Sequence, residues 1–580
     1  MVKQKLLNDL KEVIADLGYK STDILLSISK NPEFGDYTSN IALQLANLEM
    51  KNGKQNSLEI AKQIIKALGK KDYLEKVEVA GPGFINFYIK ESALIENLPL
   101  VCNYTAMIDP QIKIEGEKRK IFMEYAGFNA LKPVHVGHMR NITLGESLVR
   151  LLEAVGNEVF KATYTSDIGL PTAKTLWAVM QKKKNFESAK NKSLIDKANF
   201  LGQAYIFGSS SYGENEKTKK EVNDLNKKIY DRDPAILPLW QEILGWSEDY
   251  FNYVYQLMGT KFDKEFLESE AEGPGREIVK KNIGKIFMED EGAVIFRGDN
   301  HGLHNRVFIT SAGNPTYEAK EMGLAKQEYD AFNFDLAIHV VASDQTEYFK
   351  VVLKALEELD PNLAKKELHL PYGYVFLSSG KKMASRKGDI VTLEFVYEET
   401  KKAVVDIMKK STITKDIPKE EQQNIINLVT IGAIKFSLLK FSSKTDVLFD
   451  LKKSVSLQGD SGPYVQYSYA RAKSVLRAAQ YDYQPVKDGK MTLESEERMI
   501  LRRIEQFPEL VKEAADSFAP QMVANFLLDL SKEFNLFYQK HPIIKASENS
   551  AKFRLALTCA VAVSLKQGLF LLGIEAPERM

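Results

Sequence analysis

The sequence predicts a multidomain protein of α/β and all-α parts, with a small N-terminal α/β domain, a parallel-sheet domain and a C-terminal helix bundle. Three observations predict this class. A strand–loop–helix–strand pattern begins at Lys120, helical periodicity dominates from about Lys401, and residues 1–115 mix helical and strand periods of their own. The chain has 580 residues, which is enough for several domains of roughly 150 residues each.

Composition excludes several function classes. A hydrophobic content of 44% is sufficient for packed cores and argues against a disordered or fibrous protein. Lys and Arg total 79 against 78 Asp and Glu, which excludes a histone-like protein but allows a basic face within a neutral total. The two cysteines, Cys102 and Cys559, are too few for a disulfide framework or a four-cysteine zinc site.

No leader or membrane segment is expected. In the first ten residues, the lysines are soon followed by further polar residues, and the apolar core of a secretory signal is lacking. No run of about 18 uninterrupted apolar residues occurs, since the most apolar stretch, near 555–574, is broken by Lys566 and Gln567. These features predict a cytoplasmic protein with reduced thiols and no membrane contact.

The first 115 residues have the pattern of a separate small α/β domain. Apolar residues recur at helical spacing from Leu6 to Leu17. Two short strands are predicted on either side of the turn Gly81-Pro82-Gly83. The charged stretch 111–120 lacks periodicity and is typical of a linker.

Residues 116–400 are predicted to form the parallel-sheet domain. A buried-type strand at 121–125 leads through a loop into a helix that starts near Gly137, and a second strand follows at 158–164. Such a βαβ unit is right-handed in nearly all proteins and opens a doubly wound sheet. The helical stretch at about 180–275 is interpreted as an insertion, and further strand candidates lie at 294–296, 307–309, 336–341 and 374–377.

From residue 401 the chain has a helical period. Residues 401–450 are predicted as a helical linker region and residues 451–580 as a helix bundle. The long amphipathic stretches are 421–441, 462–480, 493–516, 521–540 and 549–573.

Two histidines mark the start of the first helix of the sheet domain, in the run His135-Val136-Gly137-His138. A helix N-terminus offers free N–H groups and a partial positive charge, which suit phosphate, and glycine allows a ligand close to the backbone. The alternatives are incidental surface histidines or half of a zinc site, although no other ligand type stands at a workable spacing.

A basic loop follows the last predicted strand. Between Gly380 and Gly388 it carries Lys381, Lys382, Arg386 and Lys387. Such a loop can close over the charge that develops on a pyrophosphate group in a transition state. The alternative is an ordinary solvated loop, which is the commoner origin of a run of like charges.

Together the two motifs resemble the paired ATP signatures of class I aminoacyl-tRNA synthetases. Other stretches are similar to the arginyl-tRNA synthetases in particular. They are 128–133 before the histidines, 462–472 in a tRNA-facing helix, 576–580 at the C-terminus, and 34–37 with 40–42 near the N-terminus. The resemblance therefore spans nearly the whole chain, in order.

The resemblance implies a Rossmann-type catalytic domain, an N-terminal domain that contacts the D-loop of tRNA, and an anticodon-binding bundle at 451–580. It also implies activation of L-arginine to arginyl-adenylate and transfer of the arginyl group to the terminal adenosine of tRNA(Arg). ATP with Mg²⁺ is the expected cofactor, tRNA(Arg) and L-arginine are the expected partners, and a monomer is the expected state.

Arginine recognition is also indicated by residue type. A guanidinium is always charged and has five fixed donors, so it favours planar carboxylates with aromatic or amide partners. Glu124 ends the first strand, where ligands of parallel sheets bind, although each acid alone could be an ordinary surface carboxylate. The family's matching positions imply arginine contacts at Glu124, Asn129, Tyr317, Glu321 and Gln345, of which Tyr317 and Glu321 share a helix face through their four-residue spacing.

Two positions depart from the family pattern. The second acid is usually Asp, whereas Glu321 is one methylene longer, and the usual second lysine of the basic loop is replaced by Ser385. Family members with the second change carry a lysine just before the histidines, which is Lys132 here. The resemblance implies catalytic roles for His135, His138, Lys132, Lys382 and Arg386, and ATP contacts at His135, Gly137, His138, Lys382, Met383 and Ser385.

Candidate tRNA contacts lie near both ends of the chain. In the bundle, aromatic and cationic residues alternate, as they do where proteins stack on unpaired bases and meet phosphates; the candidates are Tyr464, Gln466, Tyr467 and Arg471. Phe84 and Asn86 are two apart on a strand, hence on one face, and resemble the pair with which the family reads a D-loop adenosine. The alternative is that Phe84 and many of the tyrosines are core residues.

Two rival functions stay open at this point. A small nucleotidyltransferase would share the ATP fold but would need neither the bundle nor the N-terminal domain. A synthetase-like RNA-binding protein without catalysis is supported only by the departures at Glu321 and Ser385, and it would not need the retained histidines or Lys382.

Overall fold

The structure is a computed structural model, which describes residues 2–19, 24–29, 34–49, 56–96, 98, 101, 118–377, 391–409, 417–482 and 493–580. The strands are β1 (Leu26–Ile28), β2 (Tyr37–Ser39), β3 (Leu74–Ala80), β4 (Phe84–Ile89), β5 (Lys120–Glu124), β6 (Glu158–Thr165), β7 (Lys264–Leu267), β8 (Phe287–Asp290), β9 (Ala293–Phe296), β10 (Arg306–Ile309), β11 (Leu336–Ala342), β12 (Glu367–Tyr372), β13 (Val375–Leu377) and β14 (Val447–Phe449).

The helices of the N-terminal and sheet domains are α1 (Val2–Asp16), α2 (Ile41–Glu49), α3 (Ser57–Leu68), α4 (Glu91–Ile95), α5 (Val136–Ala154), α6 (Leu170–Gln181), α7 (Lys183–Ala189), α8 (Leu194–Glu214), α9 (Glu216–Tyr230), α10 (Leu237–Leu257), α11 (Glu268–Lys281), α12 (Tyr317–Ala331), α13 (Thr346–Leu359) and α14 (Pro361–Ala364). The later helices are α15 (Leu393–Lys409), α16 (Lys419–Leu439), α17 (Leu451–Ser454), α18 (Gly462–Ala478), α19 (Ser495–Asp516), α20 (Gln521–Lys540) and α21 (Glu548–Leu571).

The predicted fold class is confirmed. In the N-terminal part, four antiparallel strands in the order β1-β2-β4-β3 pack with helices α1 to α3. The central sheet has five parallel strands in the order β12-β11-β5-β6-β7, with β5 in the middle. Helix α5 connects β5 to β6, which is the predicted βαβ unit, and helices α18 to α21 form the C-terminal bundle.

Four features of the sheet domain differ from the sequence prediction. The interval 180–275 is mainly helical, but it also contains β7, an edge strand of the central sheet, and β12 at the other edge was not predicted. The strands near 294–296 and 307–309 form a separate antiparallel sheet with β8, and β13 pairs with β14 rather than with the central sheet. Short strands flanked by charged residues carry too little periodicity to show which sheet they join.

The last helix is long and largely apolar. By length and composition alone, α21 could cross a membrane, but 72% of its most apolar window is buried inside the protein. It packs against α18, α19 and α20, as the central helix of a bundle does. A helix that is apolar on all sides is expected at such a position.

Helix α5 packs closely against the residue that follows β5. Gly145 faces the ring of Tyr125, and a Cβ built on this glycine would lie 2.3 Å from the ring. Tyr125 is fully buried and its hydroxyl hydrogen-bonds to Thr260 at 2.7 Å and to Glu146 at 3.1 Å. The ring therefore has no room to move aside for a larger residue.

We expect Gly145→Ala to destabilise the protein by about 1–3 kcal/mol, because the methyl group overpacks a filled site. Gly245→Ala is the matched control, since it also lies within a helix but a Cβ there meets nothing within 4 Å. That control should gain up to about 1 kcal/mol from helix propensity. Thermal unfolding of both variants measures the difference, and equal melting temperatures would contradict this view of the α5–β5 contact.

Candidate active site

A cleft of about 630 Å³ opens at the carboxyl edge of the central sheet, where ligands of parallel α/β sheets bind. Residues that end or follow β5, β6, β11 and β12 line it, together with the N-termini of α5 and α12. The cleft brings together eight of the predicted site residues, namely Glu124, Asn129, His135, Gly137, His138, Tyr317, Glu321 and Gln345.

The two histidines begin α5 and hold each other in place. His135 is the N-cap residue, and its Nδ1 accepts a hydrogen bond from the Gly137 N–H at 3.2 Å. His138 Nδ1 accepts one from the His135 N–H at 3.3 Å, and the rings stack with centroids 3.7 Å apart. A ring nitrogen that accepts carries no proton, so both neutral rings carry theirs on Nε2 as a free donor. Two N–H donors thus join the backbone N–H groups of the helix start.

Burial keeps both rings neutral. It lowers the pKa of His135 to about 4, with a further effect from the charge of Lys132, and it lowers the pKa of His138 well below the usual value. Glycine at position 137 leaves room for the folded-back His135 ring, because a Cβ there would lie 3.0 Å from the ring and would push against it. Lys132 lies just before this helix, with its Nζ 4.6 Å from the ring centroid of Tyr205.

The other end of the cleft is acidic. Strand register sets His339 of β11 beside Glu124 of β5, and His339 Nδ1 lies 2.6 Å from Glu124 Oε2. On the opposite side, His339 Nε2 lies 2.6 Å from Glu367 Oε2 on β12. Burial alone lowers the pKa of His339, but the two carboxylate partners and nearby Glu328 outweigh it and hold the pKa well above its usual range. His339 is therefore an imidazolium that donates to two carboxylates.

Glu328 completes this buried group. Its side chain is 1% exposed, and neither carboxylate oxygen has a hydrogen-bond partner. One ligand atom each from Glu124, Glu328 and His339 lies within 4.8 Å of the others, which is a spacing that a metal could use. Because both nitrogens of the imidazolium are committed as donors, His339 offers no lone pair, and we interpret the group as an ion-pair network.

Glu321 enters the cleft from α12. It shares a helix face with Tyr317, as predicted from their spacing, and its Oε1 accepts a hydrogen bond from the Tyr348 hydroxyl at 3.2 Å. Burial, reinforced by the negative charge of Glu124, raises the pKa of Glu321 to about 8. The adjacent Lys320 pairs instead with buried Glu268 at 2.6 Å, so it does not neutralise Glu321.

Asn129 and Gln345 border the acidic end. Asn129 lies in the loop after β5 and forms a backbone bridge with Ser166 after β6. Gln345 is exposed in a 3-10 turn between β11 and α13. Four further predicted residues, Lys382, Met383, Ser385 and Arg386, lie in segment 378–390, outside the described residues.

The candidate tRNA residues differ in exposure. Phe84 is 38% exposed whereas Asn86 is 3% exposed, so only Phe84 is open to solvent. Gln466 is fully buried, and its amide donates to the carbonyls of Leu428 and Glu575. Those contacts give it a role in joining helices.

The other bundle candidates are more accessible. Tyr464 and Tyr467 are half-buried, and Arg471 donates to the Tyr467 hydroxyl at 3.0 Å. The Arg471 guanidinium also lies 4.6 Å from the ring centroid of Tyr467 and 5.0 Å from that of Tyr538. The three side chains form an aromatic–cation cluster on the bundle.

Sequence reasoning missed His339, Glu367 and Tyr348. His339 stands alone within an apolar strand, and its partners are 215 and 28 residues away in sequence. The one usable signal was a histidine at a strand position predicted to be buried, in a chain with only seven histidines, since a buried polar group requires partners.

Family models match three consecutive regions of the chain. A model described as "tRNA synthetases class I (R), catalytic domain" matches residues 105–451. An "Arginyl tRNA synthetase N terminal domain" model matches residues 2–89, and a "DALR anticodon binding domain" model matches residues 465–580.

Relatives and solved structures agree with these matches. The arginine–tRNA ligase of Clostridium perfringens is 30% identical over 573 residues, which cover 97% of each chain, and that of Porphyromonas gingivalis is 28% identical over 94% of each. The fold is that of Thermus thermophilus arginyl-tRNA synthetase, with a TM-score of 0.83 at 24% identity over 100% of both chains. The arginyl-tRNA synthetase of Plasmodium falciparum follows with a TM-score of 0.78 at 19% identity, over 100% of this chain and 99% of that one.

The raised pKa of Glu321 predicts a pH-dependent stability. The folded protein keeps this proton up to about pH 8, whereas the unfolded chain releases it near the ordinary value of 4.5, so stability is lost as the pH rises between the two values. Glu321→Gln removes this effect. In the absence of ligands, we expect the variant to match the wild-type melting temperature at pH 5 and to exceed it by several degrees at pH 8.

Calorimetry at the two pH values measures this. Glu347→Gln is the control, because Glu347 is exposed and pairs with Lys350 on its own helix. A difference between Glu321→Gln and wild type that is the same at pH 5 and pH 8 would show that Glu321 ionises normally.

Proposed function

The chain belongs to the arginyl-tRNA synthetase family, and from this premise we propose how its cleft divides between the substrates of the reaction. The enzyme is an arginine–tRNA ligase. It activates L-arginine with ATP to arginyl-adenylate and transfers the arginyl group to the 3′-terminal adenosine of tRNA(Arg), with release of diphosphate and AMP. The proposal assigns the acidic end of the cleft to arginine and the histidine end to ATP.

The guanidinium binds at Glu124 and Glu321, with Tyr317 and Gln345 beside it and Asn129 on the amino-acid backbone. The observation that supports this best is that Glu124 from β5 and Glu321 from α12 meet in one cleft, and that among the described residues no lysine, arginine or histidine pairs with Glu321. A buried carboxylate without a cationic partner is unstable unless a ligand supplies the charge. Arginine supplies it with a planar fork of donors.

The phosphates of ATP bind at the start of α5. Neutral His135 and His138 donate from Nε2 to the charge that develops at the α-phosphate, and Gly137 lets the nucleotide approach the backbone. No protein nucleophile is needed, because the arginine carboxylate attacks the α-phosphorus and diphosphate leaves. Catalysis is then positioning together with charge stabilisation.

Lys132 supplies a positive charge next to the histidines, and we assign it to the β- and γ-phosphates together with Lys382 and Arg386. Met383 and Ser385 complete the ATP contacts. Mg²⁺ accompanies ATP as a counter-ion held mainly by phosphate oxygens, which is its common mode in such sites.

For tRNA(Arg), the proposal places the D-loop at exposed Phe84 of the domain at 1–115 and the anticodon at the Tyr464, Tyr467 and Arg471 side of the bundle at 451–580. Gln466 and Asn86 are buried, and Gln466 is assigned a supporting role because its amide donates to two backbone carbonyls. The enzyme is proposed to work as a cytoplasmic monomer.

The primary test is arginine-dependent exchange of pyrophosphate into ATP, with and without tRNA(Arg), and with lysine as the control amino acid. Exchange with arginine but not with lysine supports the assignment of the cleft. Absence of exchange under both conditions, with tRNA binding intact, would favour the RNA-binding protein without catalysis.

Substitution of Glu321 should affect arginine binding selectively. We expect Glu321→Gln to raise the KM for arginine by about 10- to 100-fold, because a charged hydrogen bond to the guanidinium is lost, with little change in the KM for ATP. Glu321→Asp should retain most of the affinity, since it keeps the charge. Steady-state aminoacylation measures these values.

Glu272→Gln is the control for that series, because Glu272 pairs with Arg276 on α11 away from the cleft lining. An unchanged arginine KM in Glu321→Gln would remove Glu321 from the arginine site. The wild-type KM should also fall as the pH rises toward 8, because binding requires ionised Glu321.

The histidine end is tested by a pair of variants. We expect His138→Ala to lower kcat for pyrophosphate exchange by about 10²- to 10³-fold, as loss of one transition-state donor commonly does. His138→Gln should retain part of the rate, because its amide keeps an N–H donor. His301→Gln is the control, since His301 pairs with Glu358 away from the cleft lining. Equal rates for the Ala and Gln variants would argue against a donor role.

A further inference from the structure

The charged group below the cleft contains more acids than arginine recognition uses. Glu124 and Glu321 line the cleft, whereas Glu328 and Glu367 do not. All four surround His339, whose two ring nitrogens contact Glu124 and Glu367 at 2.6 Å each. The central sheet thus holds an imidazolium beside the proposed guanidinium contact but outside the cleft lining.

We propose that His339 is a positioning residue for arginine recognition, which holds Glu124 in place with one nitrogen, is anchored by Glu367 with the other, and offsets the charge of the surrounding acids. The proposal rests on the proposed function, because it takes Glu124 to be a guanidinium acceptor. It adds a residue that does not touch arginine. This residue determines where the Glu124 carboxylate lies and how much negative charge the pocket carries before arginine binds.

Geometry supports the holding role. In the parallel pairing of β5 and β11, Glu124 and His339 are register partners, so their side chains lie side by side on one face of the sheet. Glu124 ends its strand, next to the loop at Ala126 and Gly127. A carboxylate at a strand end has several rotamers, and the 2.6 Å contact to a buried imidazolium selects one of them. The second carboxylate oxygen, Oε1, is left for a ligand.

Charge supports the offsetting role. The groups that face His339 are Glu124 from β5, Glu367 and His369 from β12, and Glu321 and Glu328 from α12, while Phe349 of α13 covers it with its ring. Burial lowers the pKa of His369 to about 4, so it is neutral. Burial raises the pKa of Glu321 to about 8 and that of Glu328 well above its usual value, which favours the neutral form of each acid.

In the empty pocket, His339 therefore offsets part of the negative charge of the acids that its ring nitrogens contact, and the guanidinium offsets more of it when arginine binds. Without His339, the same pocket would hold an additional uncompensated charge on Glu367 in a buried position, which is strongly unfavourable. Glu321 would also keep its proton to a higher pH, because the charge of His339 lowers its pKa. Arginine would then meet a displaced Glu124 and a more firmly protonated Glu321.

The test uses the full-length enzyme with arginine, ATP and tRNA(Arg). The double variant His339→Gln/Glu367→Gln removes one positive and one negative charge together, so it avoids the buried unpaired acid that His339→Gln alone would leave. We expect the arginine KM to rise about tenfold, as for one lost charged contact, with kcat within about threefold and the ATP KM unchanged.

His369→Gln is the matched control. His369 lies on the same sheet face, is the register partner of His339 on β12, and stacks on the same Phe349 ring, but it is neutral and outside the cleft lining. It should leave the arginine KM near the wild-type value. A general loosening of the sheet would raise the KM in both variants.

The pH profile separates charge from packing. In His339→Gln and in the double variant, the pH at which the arginine KM falls should move upward, whereas in His369→Gln it should stay in place. An unshifted profile with a wild-type KM in the folded double variant would overturn the proposal. Glu124→Gln distinguishes this from failure of the proposed function, because an unchanged KM in that variant would remove Glu124 itself from the arginine site.

Discussion

The register of three parallel strands determines the chemistry of the cleft. Because β5 and β11 pair so that Glu124 lies beside His339, and β12 follows with Glu367 on the far side, three ionisable groups form a continuous row across the sheet. A shift by one residue would turn each side chain to the other face. The position of the acidic end therefore follows from backbone pairing, with α12 adding Glu321 from above.

Helix α5 relates this cleft to the rest of the molecule. Its first residues carry the histidine pair, and its Arg140 donates to the carbonyls of Gly373 and Tyr374, just before the segment that holds the basic loop. Further along, Ser147 and Arg150 donate to Leu571 and Phe570 at the end of α21. One helix thus contacts the histidine end of the cleft, the residues just before segment 378–390 and the bundle, so a displacement of the bundle has a direct physical route to the histidines.

Elements with a strong period were predictable, and the pairing of distant side chains was not. The bundle helices were predicted to within a few residues at both ends, since α19 and α20 have long amphipathic patterns. Strand β7 was missed because four residues within a long helical interval show no period. The eight cleft residues were found through motifs, but His339 acts through partners on two other strands, and no local pattern records that pairing.

The proposed arginine end of the cleft illustrates why a recognition site is locally unfavourable without its ligand. Glu321 is held where its ionisation is resisted, and Glu328 is buried with both oxygens unpartnered. On the proposed assignment, an amino acid that lacks the guanidinium would leave Glu321 unpaired, and discrimination by unsatisfied buried polar groups is much stronger than discrimination by size. Lysine brings a compact charge but not the planar fork that two carboxylates from different elements require. On this argument the acids that lower the stability of the ligand-free protein also give the pocket its selectivity. The same unpaired carboxyl groups make the free protein less stable and make binding of an amino acid without a guanidinium unfavourable.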